Sequence, residues 1–393
     1  MALFCSLVGG AINYGYHLFL GRFLGPGDYG LFSSFLSFFY FFSVPISALS
    51  LAAVKVFIFP KDKEKLLAIL YCWGRLFVGA FILFLPIFGF FIHFFSFWPF
   101  FWLAVFGILS FLNGFEGARW QGNLAFKRLF LGGIVGAVVK FAWGWFWVKR
   151  GMGLAAAVSS LAVGALATFV FWHRGKLFLR KNGRRLLSFS LGASEWIWIL
   201  LFLLAFNFLS SGDVFLARHF LNAYEAGWYG ALANLGRIIF FTLSPLATVF
   251  LPLAVRERRK GKKLVSFELL MFFLAFFILA ATAVYQKGAF YLLNFSYGRQ
   301  YAPAAPFLPL FALSAGFYTL NFFWGNKFIA EDKSKAAAFF SIAAVTGELL
   351  IVFFFHHNLK AIILASLWAN TGLFLLFSLF YFLMIKKNVF KKK

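Results

Sequence analysis

Five charged residues stand deep inside long apolar runs of this 393-residue chain: the bases Arg75, Lys140 and Arg237, and the acids Glu195 and Glu348. A charge in hydrocarbon costs a few kcal/mol unless it is paired or hydrated, so such residues point to a polar path or an ion site. At about 1.5 Å of rise per residue, Lys140 and Arg237 fall near mid-membrane and Arg75 closer to the cytoplasmic side. Cations at that depth suit a diphosphate or an acidic sugar, and arginine adds bidentate geometry. The plainer reading is that each pairs with an acid or snorkels to an interface. Glu195 and Glu348 are candidates for ion coupling, because a carboxylate in a low-dielectric site can take up and release a proton; a structural ion pair is the alternative. Asn207, Asn321, Asn326 and Asn370 add polar atoms that could line a path or bind a neighbouring helix.

Other chemistries find little support. No G-x-x-x-x-G-K-[ST] run is present, so no ATP hydrolysis is expected, and no cofactor. Cys5 and Cys72 are too few and too apolar in setting for a disulfide framework or a zinc site. His93, His173, His219, His356 and His357 lack metal-ligand spacing with acids or cysteines, so no metal site is expected. The tight acidic clusters, Asp62-Lys63-Glu64 and Glu331-Asp332, fall in connections read below as cytoplasmic. Aromatic residues make up 23% of the chain, and interfacial belts with lipid-facing Phe account for nearly all of them.

The elements that must position these charges are membrane helices. The chain is 63% hydrophobic and 12% charged, with a mean hydropathy of +0.86, outside the range of soluble domains. Apolar runs at 2–20, 30–55, 66–92, 98–115, 129–148, 153–173, 190–211, 228–252, 264–286, 304–328, 336–355 and 361–385 predict about twelve spans. The connections after every second span, with the tail, hold 25 Lys and Arg, and the alternate connections hold 7. Cytoplasmic loops collect positive charge, so both termini are expected in the cytoplasm. The net charge of +25 is then topology and contact with anionic lipid heads; nucleic-acid binding is the wrong inference from it. No cleavable signal peptide is expected, since the first helix has no basic lead and runs long. The segment HRGKLFLRKNGRRLLSF, 173–189, reads as a basic interfacial helix joining two halves. The expected organisation is a six-helix bundle over 1–173, a linker at 174–189, a second six-helix bundle over 190–385 and a basic tail at 386–393.

Between the first two spans lies GRFLGPGDYGLF, 21–32, read as an extracytoplasmic hairpin. Gly21, Gly25 and Gly27 permit tight turns and close approach, Pro26 pre-sets the turn, Asp28 can cap the second helix, and Gly30 opens that helix. Arg22 could hold the hairpin or face a cavity mouth, and Tyr29 follows the acid. A weak repeat, FLARHFLNAYEAGWYG at 215–230, pairs Arg22 with Arg218, Asp28 with Glu225 and Gly30 with Gly227, one extra residue intervening. Duplicated halves are a common transporter plan.

GRFLGPGDYGLF followed by LSFFYFFSVPISALSLAAVKVF (36–57) resembles the O-antigen-type polysaccharide flippases, which move lipid-linked oligosaccharides. They belong to the multidrug/oligosaccharidyl-lipid/polysaccharide exporter superfamily. SGDVFLARHFLNAYEAGWYGALANLGRIIFFTLSPLATVFLP (211–252) and YGRQYAPAAPFLPLFALSAGFYTLNFF (297–323) are similar to that family's spans 7–8 and the start of span 10. The resemblance implies two six-helix bundles around a central cavity, alternating access and no covalent chemistry. It implies a polyprenyl-diphosphate-linked oligosaccharide as substrate, in the plasma membrane of a prokaryote, for cell-surface polysaccharide such as lipopolysaccharide. Membrane lipids, protons or sodium, and other polysaccharide-assembly proteins are the candidate partners. Two alternatives stay open. An ion-coupled multidrug exporter of the same superfamily should favour acids in its cavity, whereas bases at depth outnumber acids three to two here. A membrane-embedded polymerase or ligase should show a large outer loop or an outward acidic pair.

Overall fold

In a computed structural model the described residues are 2–58, 63–173, 193–244, 246 and 267–390, and they are almost entirely helical. Apolar side chains draw each run into hydrocarbon, where a helix satisfies its backbone hydrogen bonds internally. The α-helices begin with α1 Ala2–Ile58, α2 Lys63–Phe91, α3 Phe97–Gly122, α4 Phe126–Lys149, α5 Gly153–Trp172, α6 Ala193–Phe220 and α7 Ala223–Gly236, and residues 238–244 are helical as well. Then follow α8 Phe267–Ser296, a 3₁₀ helix Arg299–Phe307, α9 Leu308–Ala330, α10 Ser334–Phe354 and α11 Leu359–Phe390. Ten described segments are long and apolar enough to cross a membrane.

The first of these segments is two arms. Gly25 interrupts α1 with φ 73° and ψ 172°, a combination open essentially to glycine alone. Pro26 follows it, suited to the first position of the next helix. The rings of Tyr16 and Phe32 then meet at 6.3 Å between centroids. Sixteen residues of straight helix would hold them about 24 Å apart, so the chain reverses at Gly25. The expected hairpin is there, but it is one residue long rather than nine, because helix continues on both sides to the glycine. Gly21, Pro26, Tyr29 and Gly30 are buried, while Arg22 is exposed. The Asp28 carboxylate reaches to 3.6 Å from where a Cβ on Gly153 would stand, at the first residue of α5, a favourable end of that helix for an anion.

The chain divides into two compact units, Met1–Phe189 and Ser190–Lys393. In the first, α4 packs along α5, and both pack with α1. A Cβ on Gly136 would lie 2.9 Å from the Gly164 carbonyl oxygen, and one on Gly164 would lie 2.8 Å from that of Gly136. The two backbones therefore meet directly, the small-residue contact that holds helices together in lipid. In the second unit α10 packs on α6 and α11, and α9 on α11 and α8. Its core includes Phe202, Phe206, Phe323, Phe328 and Phe377. Several helices outrun the expected spans: α3 extends to Gly122, α6 to Phe220, α8 to Ser296 and α11 to Phe390. The basic segment 174–189 and residues 247–266 lie outside the described residues.

The units repeat each other bond for bond at one connection. Between α3 and α4, Asn123 N–H donates to Arg119 O, Leu124 N–H to Gln121 O and Ala125 N–H to Trp120 O. Between α9 and α10, Glu331 donates to Lys327, Asp332 to Ile329 and Lys333 to Phe328, each residue 208 positions further on. Leu124 and Asp332 share a φ of 56°.

Candidate functional site

The first unit encloses a cavity of about 760 Å³ walled by both arms of α1 with α3, α4 and α5. Its polar lining comes from Asn13, His17, Ser43, Asn113, Lys140 and Thr168, with Ser50, Ser110 and Gln121. None of its described lining residues is acidic. The Lys140 ammonium donates to Asn13 Oδ1 and lies 4.9 Å from the centroid of the Tyr16 ring. Tyr16 in turn hydrogen-bonds Ser160 on α5, and His17 Nδ1 meets the Tyr29 hydroxyl at 3.3 Å across the hairpin. Asn113 donates to Ala165 O at 2.8 Å, leaving its own Oδ1 buried with no hydrogen-bond partner. A cation, a histidine and neutral donors with no counter-carboxylate make a chamber suited to an anion.

The second unit holds a denser polar core. Asp213 on α6 is almost wholly buried. Tyr229 on α7 donates its hydroxyl to Asp213 Oδ2 at 2.8 Å. Arg237, at the end of α7, donates through Nη2 to Oδ1 at 3.3 Å. Glu348 on α10 is fully buried and feels the Asp213 charge. Ser366 on α11 stands beside it. Asn370 connects onward to Ser314 and Ser366, and Asn321 donates to the Asn370 carbonyl at 2.8 Å. When both acids are ionised, two carboxylates face one guanidinium, so the core lacks one positive charge and can take up a proton or a small cation.

The repeat relates the two sites. Lys140 and Glu348 are each fourteen residues past the first residue of their helices, Phe126 and Ser334. Ser160 and Ser366 are each seven past Gly153 and Leu359. His17 and Asp213 each precede the matching arginine, Arg22 or Arg218, by five residues, and each bonds a buried tyrosine, Tyr29 or Tyr229, on the next helix. The pairing of Tyr29-Gly30 with Tyr229-Gly230 replaces the expected match of Gly30 with Gly227. The second turn carries a separate cap, Asn222, whose Oδ1 accepts from Glu225 N–H at 2.9 Å, and this adds residues before the tyrosine.

Of the residues singled out in the sequence, Lys140 lines the first cavity and Glu348 the second polar core. Arg237 lies in that core, engaged by Asp213. Arg75 lies on an exposed face of α2, away from the cavity wall. Glu195 falls in the first turn of α6, and its side chain lies outside the described residues. Sequence reasoning missed Asp213, His17, Asn13, Tyr16 and Tyr229. Asp213 was set beyond a span ending at 211, although α6 continues to Phe220.

No family model matches the chain, and no curated protein does. Among solved structures it is similar to an inward-facing multidrug resistance MATE family transporter of the MOP superfamily, with TM-score 0.74 at 12% identity over 97% of this chain and 98% of that one. It is similar to the lipid II flippase MurJ in an inward closed conformation, with TM-score 0.74 at 12% identity over 96% of this chain and 86% of that one. An outward-facing MATE transporter gives 0.63 at 14% identity over 98% and 94%. The chain is an integral membrane protein with the fold that MATE transporters and the MurJ flippase share.

Proposed function

We propose that the protein is a flippase for polyprenyl-diphosphate-linked oligosaccharide, working by alternating access between two six-helix halves, 1–173 and 190–385. The acid-free cavity around Lys140 carries this reading, since a diphosphate head group needs cations and donors without competing carboxylates. Lys140 and His17 supply charge, Asn13 and Asn113 supply polar contacts for sugar, and the lipid tail stays in the bilayer between helices. Arg237 and Arg75 complete the expected set of bases, Arg237 by fixing Asp213 and Arg75 on an exposed face of α2. The basic segment 174–189 links the halves and 386–393 forms a cytoplasmic tail, with both termini inside. No covalent bond is made or broken, so no cofactor is required. Asp213 and Glu348 form the site through which a proton or sodium gradient drives return of the empty carrier; Glu195 is the remaining candidate. Cell-surface polysaccharide synthesis in a plasma membrane is the setting that fits such a cargo.

The acids of the second unit favour one other reading, an ion-coupled exporter of organic cations. Reconstitution decides between them. Proteoliposomes are loaded with a fluorescent polyprenyl-diphosphate sugar, and accessibility to a membrane-impermeant quencher is followed. Wild type should move the label between leaflets, and Lys140→Ala should slow it by about tenfold or more, a charge-assisted contact being worth about 1.5–3 kcal/mol. Equal rates in Lys140→Ala would overturn the assignment of the cavity. Transport of an organic cation with no movement of the lipid would establish the exporter instead.

A further inference from the structure

At the end of the first unit where α4 begins and α5 ends, a second cavity of about 560 Å³ opens to the surface. Lys127, Arg128 and His173 stand at its rim, and Leu131, Val170 and Phe171 form its floor. Lys127 is exposed, and Val170 is 66% exposed. Arg128 is held in place by three contacts. Its guanidinium carbon lies 4.2 Å from the centroid of the Trp120 ring and 5.9 Å from that of Phe171, and Nη2 donates to the Phe171 carbonyl at 3.0 Å. Glu116 is engaged by His173 at 3.1 Å and by Arg119 at 3.7 Å, and the described lining holds Lys127, Arg128 and His173 with no acid among it.

We propose that this pocket binds the head group of an anionic glycerophospholipid of the cytoplasmic leaflet. The phosphate sits between Lys127 and Arg128, and an acyl chain runs along Leu131, Val170 and Phe171. Charge complementarity chooses the head group, and the adjoining apolar floor chooses a lipid over a free phosphate. The loop between α3 and α4 belongs to the connections rich in Lys and Arg, which places the pocket at the leaflet where anionic lipids are most abundant. The corresponding point of the second unit lacks the pair: Lys335 matches Lys127, but Ala336 stands where Arg128 would be. The proposal is independent of the transported substrate.

Native mass spectrometry of the full chain tests it. The purified protein is titrated with phosphatidylglycerol, with phosphatidylcholine of the same chains, and with inorganic phosphate. One phosphatidylglycerol should bind at least tenfold more tightly than phosphatidylcholine. Lys127→Ala should weaken it about fivefold, the effect of one basic residue near a charged lipid surface, while Lys335→Ala leaves it unchanged. Lys127 is exposed, so that variant keeps its fold. Equal binding of both lipids by wild type overturns the proposal, as does an unchanged affinity in Lys127→Ala. Inorganic phosphate displacing the lipid at equal concentration shows that the apolar floor contributes nothing, and overturns it too.

Discussion

Replacing Arg237 by methionine tests whether that arginine serves substrate or structure. Asp213 is 3% exposed at its side chain and Arg237 17%, and the guanidinium supplies the only positive charge recorded against the carboxylate among the described residues. Without it, Asp213 keeps the Tyr229 hydroxyl and the charge of Glu348 against it. Removing one partner of a buried ion pair typically costs about 3–5 kcal/mol, because the other charge is left uncompensated. Each kcal/mol shifts melting by about 2–4 °C in a unit near 200 residues. Arg237→Met should therefore lower the melting temperature by roughly 6–20 °C, read by fluorescence-detected size exclusion after heating in mild detergent. Adding Asp213→Asn removes the stranded charge and should restore most of the loss. A single variant within a degree or two of wild type, or a double variant no more stable than the single, refutes the account. Loss of transport in Arg237→Met alone would say nothing about substrate contact; loss in the restored double variant would.

Two further outcomes follow from the packing. Gly164→Val places its Cβ within 2.7 Å of the Lys140 Cβ and 2.8 Å of the Gly136 carbonyl oxygen. It should cost about 1–3 kcal/mol and displace Lys140, so both melting temperature and lipid transport should fall; an unchanged melting curve refutes the close approach. Glu348→Gln keeps the shape of a fully buried side chain and removes its charge. It should leave folding intact and abolish dependence of transport on an imposed proton or sodium gradient, and retained dependence would remove Glu348 from the coupling site.

Much of the architecture was legible from runs of apolar residues, because a helix is the cheapest way to hide a backbone in hydrocarbon. Gly25-Pro26 marked the reversal correctly, although nothing in the sequence says that one residue suffices. Two of the five charges singled out for their place within long helices, Lys140 and Glu348, lie against a cavity and in a buried core of their units. Direction around the helix was not legible. Helix α2 is apolar on every side, so no polar stripe shows which face Arg75 occupies. Asp213 was lost because hydropathy falls at Ser210-Ser211-Gly212, where α6 in fact continues and its polar atoms turn inward. The second turn deceived for a related reason. Glu225 resembles Asp28 in spacing, yet it serves the Asn222 cap, and the side chain that matches the first half is Tyr229, one helical turn later.

The single-residue reversal at Gly25 bears on how the protein is made. Two arms joined without a loop cannot enter a membrane as independent segments, since no stretch of polar chain exists to wait in water between them. Arms joined in this way are expected to insert as a pair, with the lysines at 61, 63 and 65 that follow the second arm setting one orientation for both. On that expectation the lysines also orient a helix that ends some forty residues before them.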